Sequence, residues 1–259
     1  MDSARLKRVT AVAANTFRET VRERVLYNLV FFVILMTLSG LLLGDLSIRE
    51  DDKIIKDLGL AAMDVFGTLI AIFLGVGLVS KEIERRSLYP LLAKPLDRTE
   101  FFLGKFGGLG FTLLVNTVLM TLGVYLALLI AGRSLPLSLL KAVYGIYLGL
   151  LLVVAIALLL SSVTSAALAA VGTFGIMIAG RFSAVIRDAR EVMPGAPPWV
   201  VTFLYYVLPD FAKLDFKGRV AYGDPVPLSW VGWATTYALL YTTVVLALGV
   251  ASFRRRELV

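Results

Sequence analysis

The chain has 259 residues, 58% of them hydrophobic, and a formal net charge of +7. A soluble globule is usually about 45–50% apolar, so one water-facing core could not absorb the excess. Having neither cysteine nor histidine, the chain has no means of building a disulfide framework, a thiolate or HExxH metal site, a Ser-His pair or a His proton relay. Its 26 Lys and Arg residues flank apolar runs, which assigns them to membrane topology and anionic lipid headgroups rather than to nucleic acid.

In chain order, the first feature is residues 5–25. Val9, Ala13, Phe17, Val21 and Val25 recur every four residues, with Arg8, Arg18, Arg22 and Glu23 on other faces. This predicts an amphipathic helix lying along the inner membrane surface; a cytoplasmic extension of the first span is the plainer alternative. A bilayer core needs about 20 apolar residues per helix. Six stretches meet that need: 27–44, 58–80, 106–131, 142–162, 166–186 and 230–253. The first begins too late for an ordinary signal peptide and is followed by charge without a small-residue cleavage pattern, so it is expected to be retained. The fold class predicted is all-α: a polytopic membrane protein of six transmembrane helices in a single domain over 1–259.

Six spans put both termini on one side, and the basic residues choose the side. Six precede span 1, six lie between spans 2 and 3, and three follow span 6, making fifteen. The two short loops on the other side hold five: Arg49, Lys53, Lys56, Arg133 and Lys141. The positive-inside rule then makes both termini cytoplasmic. The remaining six lie at the end of span 5 or in a long loop, where charge counts for little.

Asp64 falls about two turns into span 2 from the outside, by the 3.6-residue repeat. An intramembrane carboxylate marks a functional site, a hydrogen bond to a neighbouring helix, or a side chain reaching the headgroups. Arg181, near the outer end of span 5, can snorkel to the surface or pair with Asp64, which lies towards the same leaflet. The inside loop, 81–105, contains Pro90 and Pro95, each of which interrupts helix. A short helix is expected from about Ser80 to Tyr89, and a new one after Asp97, which has Glu100 at capping-box spacing. Ile83, Leu88, Leu91 and Leu92 form an apolar edge in a charged frame, suited to docking a partner; a plain charged connector fits the composition equally. Gly104–Gly108 and Gly145–Gly149 have GxxxG spacing, a packing signal. Residues 161–165 read as a tight inside turn. The outer segment, 187–229, holds six of the nine prolines, which rules out one continuous helix. Within it, 199–208 is apolar but too short to span, and reads as re-entrant or interfacial, with Trp199, Phe203, Tyr205 and Tyr206 at headgroup level.

Paired carboxylates for intramembrane proteolysis are lacking, as are a GxxxxGK[ST] phosphate loop and a TVGYG filter. Energy must therefore come from a partner or a gradient, and the scarcity of mid-span ionisable groups favours an external motor.

The segment KEIERRSLYPLLAKPLDRTEFFLGKFGG, residues 81–108, resembles the first cytoplasmic loop of type-2 ATP-binding-cassette permeases, closest to the multi-copper-enzyme maturation branch. The basic entry helix, the six spans, FRRREL at 253–258 and LYYVLPDFAKLDFK at 204–217 are similar too; Arg86-Ser87 stands where many relatives have Gly-Thr. The resemblance implies a permease subunit of an exporter without an ATPase site of its own. It implies no cofactor in this chain, ATP and Mg being on a P-loop ATPase partner. It also implies a homodimer or paired permease in contact with membrane lipid, in a bacterial or archaeal cytoplasmic membrane. Glu82, Glu84, Arg85, Arg86, Leu88 and Arg98 would face the ATPase. A membrane scaffold without transport of its own is the alternative; a multi-span enzyme is disfavoured by the missing catalytic groups. The six methionines show no clustered spacing, which gives copper no ligand set.

Overall fold

The computed structural model describes residues 3–22, 32, 51–84, 97–183, 199, 202 and 206–255. It is helical, with no strand among the described residues. The helices are α1 (Ser3–Arg22), α2 (Asp51–Glu84), α3 (Arg98–Ile130), α4 (Leu139–Val163), α5 (Ala166–Arg181), α6 (Lys217–Ala221) and α7 (Leu228–Arg255), with a 3-10 turn at Phe211–Leu214.

Helix α4 is the axis of the bundle. It is apolar on all sides, the pattern of a helix surrounded by others, and every residue from Leu152 to Leu158 is buried. It packs against α2, α3, α5, α6 and α7. Gly67 of α2 meets Leu150, and Gly75 meets Ala157, so α2 and α4 run in the same direction. Tyr144 and Thr235 share a hydrogen bond of 3.1 Å, and Gly249 of α7 lies on Phe102 near the start of α3. Helices α2, α4 and α7 therefore run one way, and α3 and α5 the other. One end of the bundle carries the start of α3 and the end of α7. The distal end carries Asp64, Arg181 and residues 209–226.

Four helices are long and apolar enough to cross a membrane, over Lys53–Gly77, Thr99–Ile130, Leu139–Val163 and Leu228–Phe253. Large apolar side chains such as Phe73, Leu122, Val171 and Leu240 are exposed on the bundle, as expected of a surface that faces lipid. The span expected at 166–186 is shorter among the described residues. Helix α5 has 16 residues, about 24 Å at ~1.5 Å per residue, against a hydrocarbon core of about 30 Å. The span expected at 27–44 lies outside the described residues apart from Phe32, which is fully buried. Helix α2 begins at Asp51, seven residues before the apolar run at 58, because its amphipathic first turns are already packed: Ile55 and Lys56 are buried. It also continues through Ser80 to Glu84, so the short helix expected from Ser80 starts as part of α2. The tight turn expected at 161–165 narrows to Thr164 and Ser165, since Ser161 and Ser162 stay helical and return their hydroxyls to Leu158 O and Leu159 O.

Helix α3 starts where the capping spacing put it: the Asp97 carboxylate accepts from Thr99 N at 3.4 Å. Glu100 accepts both Nε and Nη2 of Arg8, each at 2.8 Å. That bidentate pair is the first rung of a parallel contact between α1 and α3. Val12 fills the notch at Gly104, and Ala13 and Thr16 fill that at Gly108, where an added Cβ would come within 2.6 Å of each neighbour. Phe17 and Phe111 meet edge to face at 4.8 Å. The first GxxxG pair is thus a helix-packing site, as its spacing suggests, and α1 follows α3 lengthwise. The expected apolar stripe drifts off this face, because a repeat of four does not match 3.6 residues per turn: Ala13 packs on α3, whereas Val21 is exposed.

This register is testable in a chain that has no native cysteine. A Cβ on Gly107 would lie 3.8 Å from that of Ala13, close to the ~3.8 Å mean separation in disulfides. The Ala13→Cys/Gly107→Cys variant is expected to oxidise to an intramolecular disulfide that blocks both thiols from maleimide, whereas Ala14→Cys/Gly107→Cys stays labelled.

Candidate functional site

At the distal end residues 209–226 fold back onto the bundle. Small residues allow the approach. A Cβ at Gly180 would collide with the Pro209 carbonyl and lie 2.8 Å from the Phe211 ring. One at Gly145 would collide with the Leu214 carbonyl and lie 2.9 Å from Phe216. The second GxxxG pair therefore receives a loop and a 3-10 turn instead of a helix. Phe211, Leu214 and Phe216 are buried in the bundle by this docking. Further bonds hold the segment: Asp210 N donates to Tyr237 Oη at 2.7 Å, Ser183 Oγ donates to the Asp210 carboxylate at 2.6 Å, and Lys141 Nζ donates to Val226 O at 2.6 Å.

Under the docked segment lies a cavity of about 130 Å³, lined by Asp64, Thr68, Met177, Arg181, Phe211 and Lys217 among others. Asp64 is its centre. Its Oδ1 accepts from Arg181 Nη2 at 2.7 Å, and its Oδ2 receives Lys217 Nζ. Lys217 in turn lies 3.3 Å from the Asp215 carboxylate, and Arg181 Nε points to Met177 Sδ at 3.1 Å. The side chains of Asp64 and Lys217 are only 10% and 15% exposed, and that of Arg181 is 34% exposed. A carboxylate this buried is stable because two cations on two other elements complete it, and each cation would be costly alone. The cluster therefore ties three separate parts of the chain, α2, α5 and α6, to one point.

The structure brings Asp64 and Arg181 together as the leaflet argument anticipated. Lys217 was missed, being one basic residue in a long loop whose charges carry no topological weight; the Gly145-x3-Gly149 pair and Gly180 were the signals that something close-packed must return there. Of the residues expected to dock an ATPase, Glu82 and Glu84 sit on the last turn of α2 and Arg98 opens α3, their side chains being outside the description. Arg85, Arg86 and Leu88 lie outside the described residues, as do half of the apolar stretch at 199–208 and the Arg256–Leu258 ending. Among the described residues no cluster of His, Cys, Asp and Glu could hold a metal ion.

Residues 10–186 match the sequence model of a family described as ABC-2 family transporter protein. The match covers both Asp64 and Arg181 and stops before Lys217. No curated protein matches the chain.

Proposed function

Because this chain belongs to the ABC-2 family of transporter proteins, we propose that it is the membrane-spanning permease subunit of an exporter driven by ATP hydrolysed on a separate P-loop subunit. The observation that carries this reading is the family match over residues 10–186, taken with the absence of a GxxxxGK[ST] loop anywhere in the sequence, which leaves ATP chemistry to a partner. The resemblance of residues 81–108 supports placing this chain in the multi-copper-enzyme maturation branch. The basic bias supports cytoplasmic termini, with the cavity facing outwards. Two permeases, alike or different, pair with two ATPases.

The architecture suits such a role. Helix α2 is unbroken from Asp51 to Glu84, so Asp64 and Glu84 are about 30 Å apart along one helix, at ~1.5 Å per residue. A partner that shifts the end of α2 at Glu84 moves Asp64 with it. The outer segment is held at Asp64 through Lys217, so this motion loosens or tightens the outer closure. Loop contacts that differ between ATP-bound and ATP-free states are what drive it.

The test is a pull-down of the tagged chain from native membranes. Wild type is expected to recover a P-loop ATPase, and Glu84→Lys/Arg85→Glu to lose it. An ATPase with both variants would keep the permease and discard the docking residues; no ATPase with either would favour a scaffold or a gradient-driven carrier.

A further inference from the structure

The face of the 3-10 turn and α6 that points away from the Asp64 cavity forms a second, larger hollow. It has a volume of about 420 Å³ and lies between this segment and the start of α7, with Lys213, Phe216, Arg219, Trp230, Trp233 and Tyr237 in its wall. That volume is within the ~300–1,000 Å³ of small-molecule sites. Its cations are held over rings. The Arg219 guanidinium lies 4.3 Å from the centroid of Trp230, and Lys213 Nζ lies 4.8 Å from that of Tyr237. A ring face takes up one side of a guanidinium and leaves its in-plane N–H donors free, and those are the donors that suit phosphate. Lys213 is shared with Asp210 at 3.4 Å, while Arg219 forms no ion pair with a carboxylate among the described residues. The one acid in the wall, Asp215, is met from the cavity side by Lys217.

Below the hollow its aromatic wall continues along α7. Trp230, Trp233 and Tyr237 lead at helical spacing to Leu240, Val244 and Leu248, and these last three are exposed at 66%, 58% and 54%. The basic, aromatic part sits at the distal end of a membrane-length helix, the level where Trp and Tyr meet headgroups. The apolar part lies at hydrocarbon depth. A soluble phosphate would have no use for the apolar track, and a wholly apolar ligand no use for the cations. An anionic phospholipid matches both halves.

We propose that this hollow binds the headgroup of an anionic phospholipid, its phosphate at Arg219 and Lys213 and its acyl chains along the Leu240–Val244–Leu248 face of α7. The site requires the bundle to lie in a membrane, and it stands whether or not the chain is coupled to an ATPase.

The experiment is native mass spectrometry of the full chain from micelles doped with either phosphatidylglycerol or phosphatidylcholine. Wild type is expected to retain phosphatidylglycerol about tenfold better, because the choline cation of the other lipid offsets its phosphate charge and is repelled by Lys213 and Arg219. Lys213→Gln/Arg219→Gln should erase the preference, and Lys213→Arg should keep it. Trp233→Ala should weaken retention of both lipids. Equal retention by wild type would overturn the proposal without recourse to any variant, as would an undiminished preference in the double glutamine variant. Displacement of the lipid by millimolar inorganic phosphate would also overturn it, by assigning the hollow to a soluble anion.

Discussion

Replacing Asp64 by alanine is expected to destabilise the protein by about 3 kcal/mol, since removing one partner of a buried ionic group leaves charges without compensation. Arg181 loses its carboxylate and Lys217 loses one of two, keeping Asp215 at 3.3 Å. The value falls at the low end of the range because the Arg181 side chain is 34% exposed and can turn to the surface. In detergent this corresponds to a fall of about 8 °C in apparent melting temperature. Arg181→Ala alone should cost less, because Lys217 still reaches Asp64. The Asp64→Ala/Arg181→Ala variant should then cost well under the sum of the two singles, the signature of side chains in direct contact. Strictly additive losses, in melting temperature and in transport, would show that the pair is not an energetic unit.

The second large effect is expected at Gly145. Valine there would drive its side chain into the Leu214 carbonyl and the Phe216 ring. Overpacking typically costs about 1–3 kcal/mol, and the upper end applies where the obstacle is main chain and has no rotamer to change. The segment between Lys213 and Arg219 should therefore lift, opening the sites after Lys213, Lys217 and Arg219 to trypsin added to the protein in detergent. Gly149→Ala is the control. Its added Cβ would meet only the Phe211 ring, at 3.8 Å, an ordinary contact, so trypsin resistance should be kept. Equal cleavage of the two variants would mean that the segment is not held by this notch.

Local chemistry wrote much of this fold into the sequence. The long apolar runs gave α3, α4 and α7, and Asp97 marked the first turn of α3 because an N-cap acts over only three residues. The ends of α2 were harder to read. Its first turns carry Asp51, Asp52 and Lys53, charges that hide a helix continuing beyond the apolar stretch. The candidate site was half legible. Asp64 and Arg181 stood out as charges in apolar helices, whereas Lys217, Arg219 and the rings of Trp230 and Trp233 acquire meaning only when the chain after α5 folds back. No helical or strand period encodes that return; its trace is the placing of Gly145 and Gly180, residues whose lack of a side chain says that something fits without naming it.

The Asp64 cluster also has a place in time. Its partners lie 117 and 153 residues further along the chain. At about 5–20 residues per second of synthesis, Asp64 is made some 6–23 s before Arg181 and 8–31 s before Lys217. For that interval the carboxylate must stay near the headgroups or be sheltered by whatever inserts the chain, because an unpaired acid is costly in hydrocarbon. Helix α2 is therefore expected to reach its final depth only once α5 and α6 have been made, which would put closure of the cluster late in maturation.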